Sequence, residues 1–376
     1  MNGKPFDPSG LPEAERKYVN DLADALDANG YGLKDYECDD SHFIVEDGHV
    51  VLLGIGAPYT EDAPPLKALV HLRELWFWNT KDGRIPSGIC GLKRLETLGC
   101  VMEGVKWLPE EIGRLSSLKT LNVEGNPIES LPSDFGGLES LEELNLKKCE
   151  LKELPESFGN LKNLKTLDLS ENRLETLPES FGELKSLETL DLRKNRLESL
   201  PESFGDLKNL WKMRAEYNEI ERLPDSFPEL KSLDVLGLQA NKLVSLPQNF
   251  GGLTALKELY LNSNNLSSLP PSFGDLKNLQ LLYLDSNDLT SLEHIVPDLS
   301  GLRKLAVGRN KIGPIPESIS EMGNLEYLGL SFCELTSLPA GLGKIEKLRE
   351  ITLYGNKVGD YPDEIKLRAP NLQIKR

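Results

Sequence analysis

Leu164-Lys165-Thr166-Leu167-Asp168-Leu169-Ser170-Glu171-Asn172 is answered 23 residues later by Leu187-Glu188-Thr189-Leu190-Asp191-Leu192-Arg193-Lys194-Asn195. Between the two phrases stand Leu174, Leu177-Pro178, Phe181 and Leu184. Asn126, Asn172, Asn195, Asn218, Asn241, Asn264, Asn287, Asn310 and Asn356 all fall on the same period, and Cys149 and Cys333 hold the two remaining rungs. A fixed period of this size marks a stacked repeat architecture.

Each part of the phrase has a physical reading. Leu167 and Leu169 alternate with Thr166, Asp168 and Ser170, the pattern of a short strand with one buried face. Leu164, Leu174, Leu177, Phe181 and Leu184 lack that alternation and must point inward from the other sides of one turn of a coil. One turn alone cannot bury them, and stacked neighbours can. The Asn side chain donates and accepts, so it can satisfy backbone groups that a sharp exit from the strand leaves unpaired. A Cys in its place can do this only weakly, through S–H. Leu-Pro ends the inner half-turn, because proline cannot donate to a ladder. The following Glu-Ser-Phe-Gly suits a short helix or 3₁₀ turn on the outer side. Outer segments wider than strands predict a curved stack.

These phrases resemble the intracellular leucine-rich repeat proteins with 23-residue L-P-x-x-F-G-x-L-x-x-L repeats, among them bacterial and archaeal forms and the plant Ras-group type. The resemblance covers roughly residues 48–358. It implies an α/β repeat, a horseshoe-shaped solenoid with a parallel β-sheet on the concave face and short helical or 3₁₀ segments on the convex face. It is specific for fold and not for function, since such proteins are mostly protein-binding scaffolds with unrelated partners.

Forty-three basic and 60 acidic residues give a net charge of −17. That opposes non-specific binding to phosphates, so neither nucleic acid nor an anionic membrane surface is an expected partner. Residues 1–65 hold fourteen Asp/Glu and four Lys/Arg. This acidic pole reads either as a solvated cap or as a docking site for a basic partner. Cys38, Cys90, Cys100, Cys149 and Cys333 show no disulfide-framework spacing. The resemblance implies cysteine-clamped caps in secreted members, and this chain lacks that pattern. With no apolar leader segment at the N-terminus and no run approaching a membrane span, the expectation is the reducing cytoplasm.

Along the chain, residues 1–47 are expected to form an N-terminal arm and helical cap, 48–358 a solenoid of about 14 turns, and 359–376 a C-terminal cap. Pro12 to Asn29 has helical spacing of Tyr18, Val19, Leu22, Ala25 and Leu26, and Gly30 stops it. Phe43-Ile44-Val45, an Asp-Gly turn and Val50 to Ile55 give strand signals. The early ladder positions are Pro58, Thr80 and Glu103, so the first turns are irregular. Ala215, Glu293 and the run Gly313-Pro314-Ile315-Pro316 are later departures. Ile365, Leu367, Leu372 and Ile374 are expected to cover the last turn, with Lys366, Arg368, Lys375 and Arg376 guarding its open edge.

The strand residues between the leucines should face the concave side. Trp76 and Trp78 lie near one end. The middle carries Lys147, Lys148, Asp168, Asp191, Arg193, Arg214, Glu216 and Tyr217. Tyr260, Tyr283, Tyr327, Phe332 and Tyr354 lie toward the other end. Exposed aromatic residues at such positions suit protein recognition. The bland alternatives are tryptophans hidden under the cap and a solvated charged centre held by cross-strand ion pairs. Concave tyrosines also suit a glycan or small-molecule receptor, and a regulatory subunit of an enzyme is a further alternative.

Catalytic signals are weak. His42, His49, His71 and His294 belong to no Ser/His/Asp or Cys/His grouping. Cys38, Asp39, Asp40, His42 and His49 match no zinc spacing. Gly54-Ile55-Gly56 lacks the third glycine of a dinucleotide site, and there is no P-loop. Asp168 and Asp191 resemble a carboxylate pair, but repeat duplication produces them anyway. The expectation is a non-enzymatic scaffold for an unidentified protein, with no cofactor and no metal.

Overall fold

The computed structural model describes residues 10–17, 19, 20, 43–55, 66–77, 83–101, 104–296, 298–368 and 371–376. The chain forms two compact units, residues 1–174 and 175–376.

In the first unit, residues 13–17, 19 and 20 are helical. Strands β1 (Phe43–Glu46) and β2 (His49–Ile55) form an antiparallel hairpin. Its turn holds Asp47 and Gly48 at φ 50° and 78°, the two-residue geometry that Asp-Gly supplies most readily. From β2 onward the pairing is parallel. Strands β3 (Glu74–Phe77), β4 (Thr97–Cys100), β5 (Thr120–Asn122), β6 (Glu143–Asn145) and β7 (Thr166–Asp168) each pair with the one before. Glu15 closes this end. It is 3% exposed, accepts a hydrogen bond from the Val50 amide at 2.9 Å and lies 2.8 Å from His49 Nδ1.

The second unit continues the pattern with β8 (Thr189–Asp191), β9 (Lys212–Arg214), β10 (Val235–Gly237), β11 (Glu258–Tyr260), β12 (Leu281–Tyr283), β13 (Lys304–Ala306), β14 (Tyr327–Gly329) and β15 (Glu350–Thr352). The C-terminal segment does more than lie over the last turn. Residues Gln373–Lys375 form β16, which pairs in parallel with β15. Ile365 and Leu372 are buried as expected, but Leu367 is 83% exposed and covers nothing. It follows the short helix Asp363–Lys366, which turns Ile365 inward and leaves Leu367 outside. Arg368 donates to the carbonyls of Ile345, Glu346 and Leu348, which satisfies the end of the last outer segment.

The Glu-Ser-Phe-Gly segments are 3₁₀ helices, as in Glu179–Glu183 and Glu202–Asp206. Their phenylalanines are fully buried and stack turn on turn: Phe135 on Phe158 in the first unit, Phe181 on Phe204 on Phe227 in the second, with centroids 5.9–6.0 Å apart. After Phe181 and Phe204 the glycine is required by close approach, whereas Phe227 is followed by Pro228. A Cβ on Gly182 would stand 2.2 Å from the Ser203 carbonyl oxygen. After Leu292 the described residues make turns instead of a 3₁₀ helix, where Glu293 replaces proline.

The Asn ladder stitches the turns together. Asn264 Oδ1 accepts from the Leu243 amide, and its Nδ2 donates to the carbonyls of Leu238 and Leu261, all at 3.0 Å. Asn172 accepts from Cys149 and Leu151 and donates to Leu146 and Leu169. Cys149 and Cys333 donate through sulfur to Val123 and Val307, at 3.2 and 3.3 Å. Burial pushes these thiols up to about 12 and about 11, so the S–H donor persists at neutral pH.

Of the early irregular rungs, Pro58, Thr80 and Glu103 lie outside the described residues, as do Trp78, Tyr18, Leu22, Ala25, Leu26, Cys38, Asp39, Asp40 and His42. Replacing Asn264 by Ala is expected to cost about 3 kcal/mol or more, because three buried peptide groups lose their partner. Urea unfolding checks this, and a loss below about 1 kcal/mol would show that the ladder amide is dispensable.

Candidate functional site

The face of each sheet turned away from the leucines is built from three kinds of position. Two residues per strand alternate outward, a third lies just beyond the strand, and the residue before each ladder Asn or Cys follows. That last residue adopts a left-handed backbone: Lys148, Glu171, Lys194, Tyr217, Ala240, Ser263, Ser286, Arg309 and Phe332 all have φ between 55° and 59°. Gly125 and Gly355 occupy the same position at 74° and 70°. Non-glycine residues rarely adopt this conformation. It carries the chain around the bend while the side chain projects outward. Tyr217 is 59% exposed and Phe332 48%.

In the first unit, Trp76 does not stand free. It is half-buried, and its indole lies across Gly99, its register partner on β4, where a Cβ would come within 2.1 Å of the ring. Lys147 pairs with Glu124 at 3.0 Å, and Asn145 donates to the same carboxylate. That hydrogen bond and charge raise the Lys147 pKa. Lys148 is exposed. Asp168 turns back on its own strand and accepts from the Ser170 amide and hydroxyl at 2.8 and 2.6 Å.

In the second unit, Asp191 and Arg193 satisfy one another through two guanidinium nitrogens, the shortest contact being 2.6 Å. Arg214, Gly237, Tyr260, Tyr283, Ala306, Gly329 and Thr352 form one rung across the strands. Tyr260 and Tyr283 stack at 5.2 Å with planes 9° apart. Burial, then the bond from its hydroxyl to Glu258, pushes Tyr260 up to about 12. Burial also raises Tyr283. Tyr327 Oη lies 3.5 Å from Thr352 Oγ1. Arg309 covers the Phe332 ring at 4.6 Å, and that ring overlies Gly355. Tyr354 is 44% exposed.

Glu216 departs from expectation. Its position predicts exposure, yet it is 7% exposed because its carboxylate leans over Gly237. Burial raises its pKa, and Arg193 and Arg214 partly oppose that shift. Sequence reading also missed Trp107, 52% exposed beside Arg84 and Lys106. Glu15, His49 and His71 bring three candidate metal-ligand atoms within 4.8 Å. The two imidazoles are stacked at 3.7 Å and Arg94 Nη1 lies 2.9 Å from His71 Nδ1. Parallel rings cannot both aim a lone pair at one ion, so this cluster reads as a closure of the sheet end.

Parallel strands stitched by an asparagine ladder, with 3₁₀ helices on the opposite side, define a leucine-rich repeat solenoid. Family comparison agrees: the description "leucine-rich repeat region" matches residues 59–153, 156–260 and 245–366, and the chain belongs to that family. A leucine-rich repeat protein of Leptospira interrogans is similar at 33% identity over 86% of this chain and 83% of its own, with a TM-score of 0.75. The plant peptide hormone receptor RGFR1, solved in complex with RGF2, is 27% identical over 90% of this chain and 60% of its own, with a TM-score of 0.66. An internalin of Listeria monocytogenes shares the fold at 19% identity over 98% of both chains, with a TM-score of 0.65. No curated protein matches. Among the described residues no helix is long and apolar enough to cross a membrane.

Two outcomes follow from the geometry. Tyr217→Gly relieves a left-handed residue (about 1–2 kcal/mol) and adds glycine's chain entropy (about 0.5–1 kcal/mol), so its unfolding stability should stay within about 1 kcal/mol of wild type. A loss above about 2 kcal/mol would make Tyr217 a structural residue. For Glu216 the folded pKa is raised. The wild type is therefore relatively most stable below the ordinary Glu range and loses that contribution as pH rises through the raised value. Denaturant midpoints of Glu216→Gln and wild type should diverge in favour of Gln over that window; a gap constant with pH would contradict the burial.

Proposed function

We propose that this protein is a non-enzymatic scaffold that binds a protein partner through the open face of its sheet. The carrying observation is the pair Tyr217 and Phe332, two large aromatic side chains held outward on left-handed backbone where glycine serves elsewhere in the same chain. Backbone strain of that kind is maintained where it serves a function. Tyr354 adds a third exposed ring. Rigid aromatic side chains give large contact area at small entropy cost.

The charged positions contribute less than their number suggests. Lys147 is tied to Glu124 and Arg193 to Asp191, so they are readers of partner charge only at the expense of existing pairs. Tyr260 and Tyr283 turn ring faces toward each other, which leaves less platform for a sugar and favours a protein partner. A neighbouring receptor bound to RGF2 supports the class of reading. The cysteine usage supports a cytoplasmic setting.

The test replaces Tyr217, Phe332 and Tyr354 together by Ala, with Glu153→Ala as an outer control. Quantitative cross-linking and mass spectrometry from native lysate should show a loss of about tenfold or more in captured partner, as expected for truncated interface anchors. A folded triple variant that keeps every partner at wild-type level removes the open face from the reading.

A further inference from the structure

The residue just before each of the strands β4 to β11 belongs to a ladder on the flank of the sheet. In the first unit the ladder reads Glu96, Lys119, Glu142 and Lys165, and in the second Glu188, Trp211, Asp234 and Lys257. Each acidic residue is joined through the backbone to the residue one turn later. The Lys119 amide donates to the Glu96 carbonyl, Lys165 to Glu142, Trp211 to Glu188 and Lys257 to Asp234, at 2.8–3.0 Å. Three of these pairs also meet through their side chains. Lys119 Nζ lies 2.7 Å from Glu96, Lys165 Nζ 2.6 Å from Glu142 and Lys257 Nζ 2.7 Å from Asp234. The fourth cannot, because Trp211 stands where the other pairs place a lysine. Glu188 is exposed and forms no ion pair among the described residues.

Trp211 is itself 41% exposed. An open indole and an unpaired carboxylate therefore stand on neighbouring strands, in the register that pairs Thr189 with Lys212. Each attracts a cation, the carboxylate through charge and hydrogen bonding, the ring through its negative face. Lys212 does not fill the place. Its Nζ stands 5.9 Å from the indole centroid, at the outer limit of such attraction, and it forms no ion pair among the described residues. Asp234, on the other side of Trp211, is already taken by Lys257.

We propose that Glu188 and Trp211 receive an arginine side chain from a protein partner that reaches this flank. A guanidinium can lie flat on the indole while its edge donates to the carboxylate. The described residues show the same preference within the chain. Arg376, Arg309 and Arg84 come within 4.4, 4.6 and 5.2 Å of aromatic centroids, while Lys106 and Lys212 stay at 5.9 Å. Both receiving side chains are exposed, so the incoming group meets them without any rearrangement of the core. The site lies before the strand, off the open face, and does not depend on a partner bound there.

The probe is the peptide acetyl-Gly-Arg-Gly-amide, titrated into the isotope-labelled full chain while NMR follows the backbone amides of Glu188, Thr189 and Met213. The peptides with Lys or Gln in place of Arg are the comparators. The arginine peptide should shift these resonances saturably and bind more tightly than the lysine peptide, and the glutamine peptide should not bind. Glu188→Gln should weaken binding about threefold, the size of one exposed charge pair. Trp211→Lys, which gives Glu188 the cation that the ladder supplies elsewhere, should abolish it. Glu346→Gln, the same charge change at another exposed position, should leave it unaltered, and Lys212→Gln should tighten it by removing a like charge. The aromatic triple variant should bind the peptide as the wild type does, which separates this site from the open-face reading. No saturable shift, lysine or glutamine binding equal to arginine, an equal loss with Glu346→Gln, retained binding by Trp211→Lys, or weakening by Lys212→Gln each overturns the proposal.

Discussion

A primary amide, repeated on every rung from Asn126 to Asn356 but the two held by Cys149 and Cys333, keeps the turns in register. The bend after each strand strands peptide N–H and C=O groups inside the coil, out of reach of water. One Asn side chain answers donors and acceptors from its own turn and the one before, as Asn264 does with Leu243, Leu238 and Leu261. The leucines and stacked phenylalanines supply the burial, but they are non-directional. The amide is what ties each turn to its neighbour, so outward positions pair in register, as Gly237 does with Arg214 and Tyr260.

The two cysteine rungs show what the amide contributes by what happens without it. A thiol donates but accepts poorly. At Cys149 the Ile128 amide turns instead to the carbonyl of Asn126, a bond that regular rungs replace with the side-chain oxygen. Glu150 and Glu334, the residues after Cys149 and Cys333, also adopt positive φ, and among the described residues no residue after a ladder Asn does. At those turns the backbone amide of the Cys itself reaches Oδ1 of the next ladder residue, Asn172 or Asn356.

The repeat was legible because its period is strict from Asn126 onward: rungs, strands and 3₁₀ segments fall where Leu167, Asn172 and Phe181 place them, except after Leu292, where turns replace the 3₁₀ helix. Reading along the strand also located the outward positions. It did not show what those side chains do, because that depends on the residue one full turn away. Trp76 lies down because Gly99 has no Cβ, Phe332 because of Gly355, and Glu216 is buried because of Gly237. Comparing columns instead of rows, and asking where a large residue is followed one period later by glycine, would have found Trp76 and Phe332, whereas Gly237 lies 21 residues after Glu216 and off its column. Gly125 and Gly355 were likewise a readable sign that the position before the rung is left-handed. The fate of Leu367 was not readable, since it depends on where a four-residue helix ends.

The left-handed position has a consequence for how such a molecule can change over time. Because the neighbouring amide secures the bend, and the side chain before it faces outward, Ala240, Ser263, Arg309 and Phe332 can all occupy equivalent sites on the same scaffold. Substitution there alters what is displayed without disturbing what displays it. The chain thus behaves like a rack with fixed pegs and exchangeable fittings, in which new specificities can arise one turn at a time.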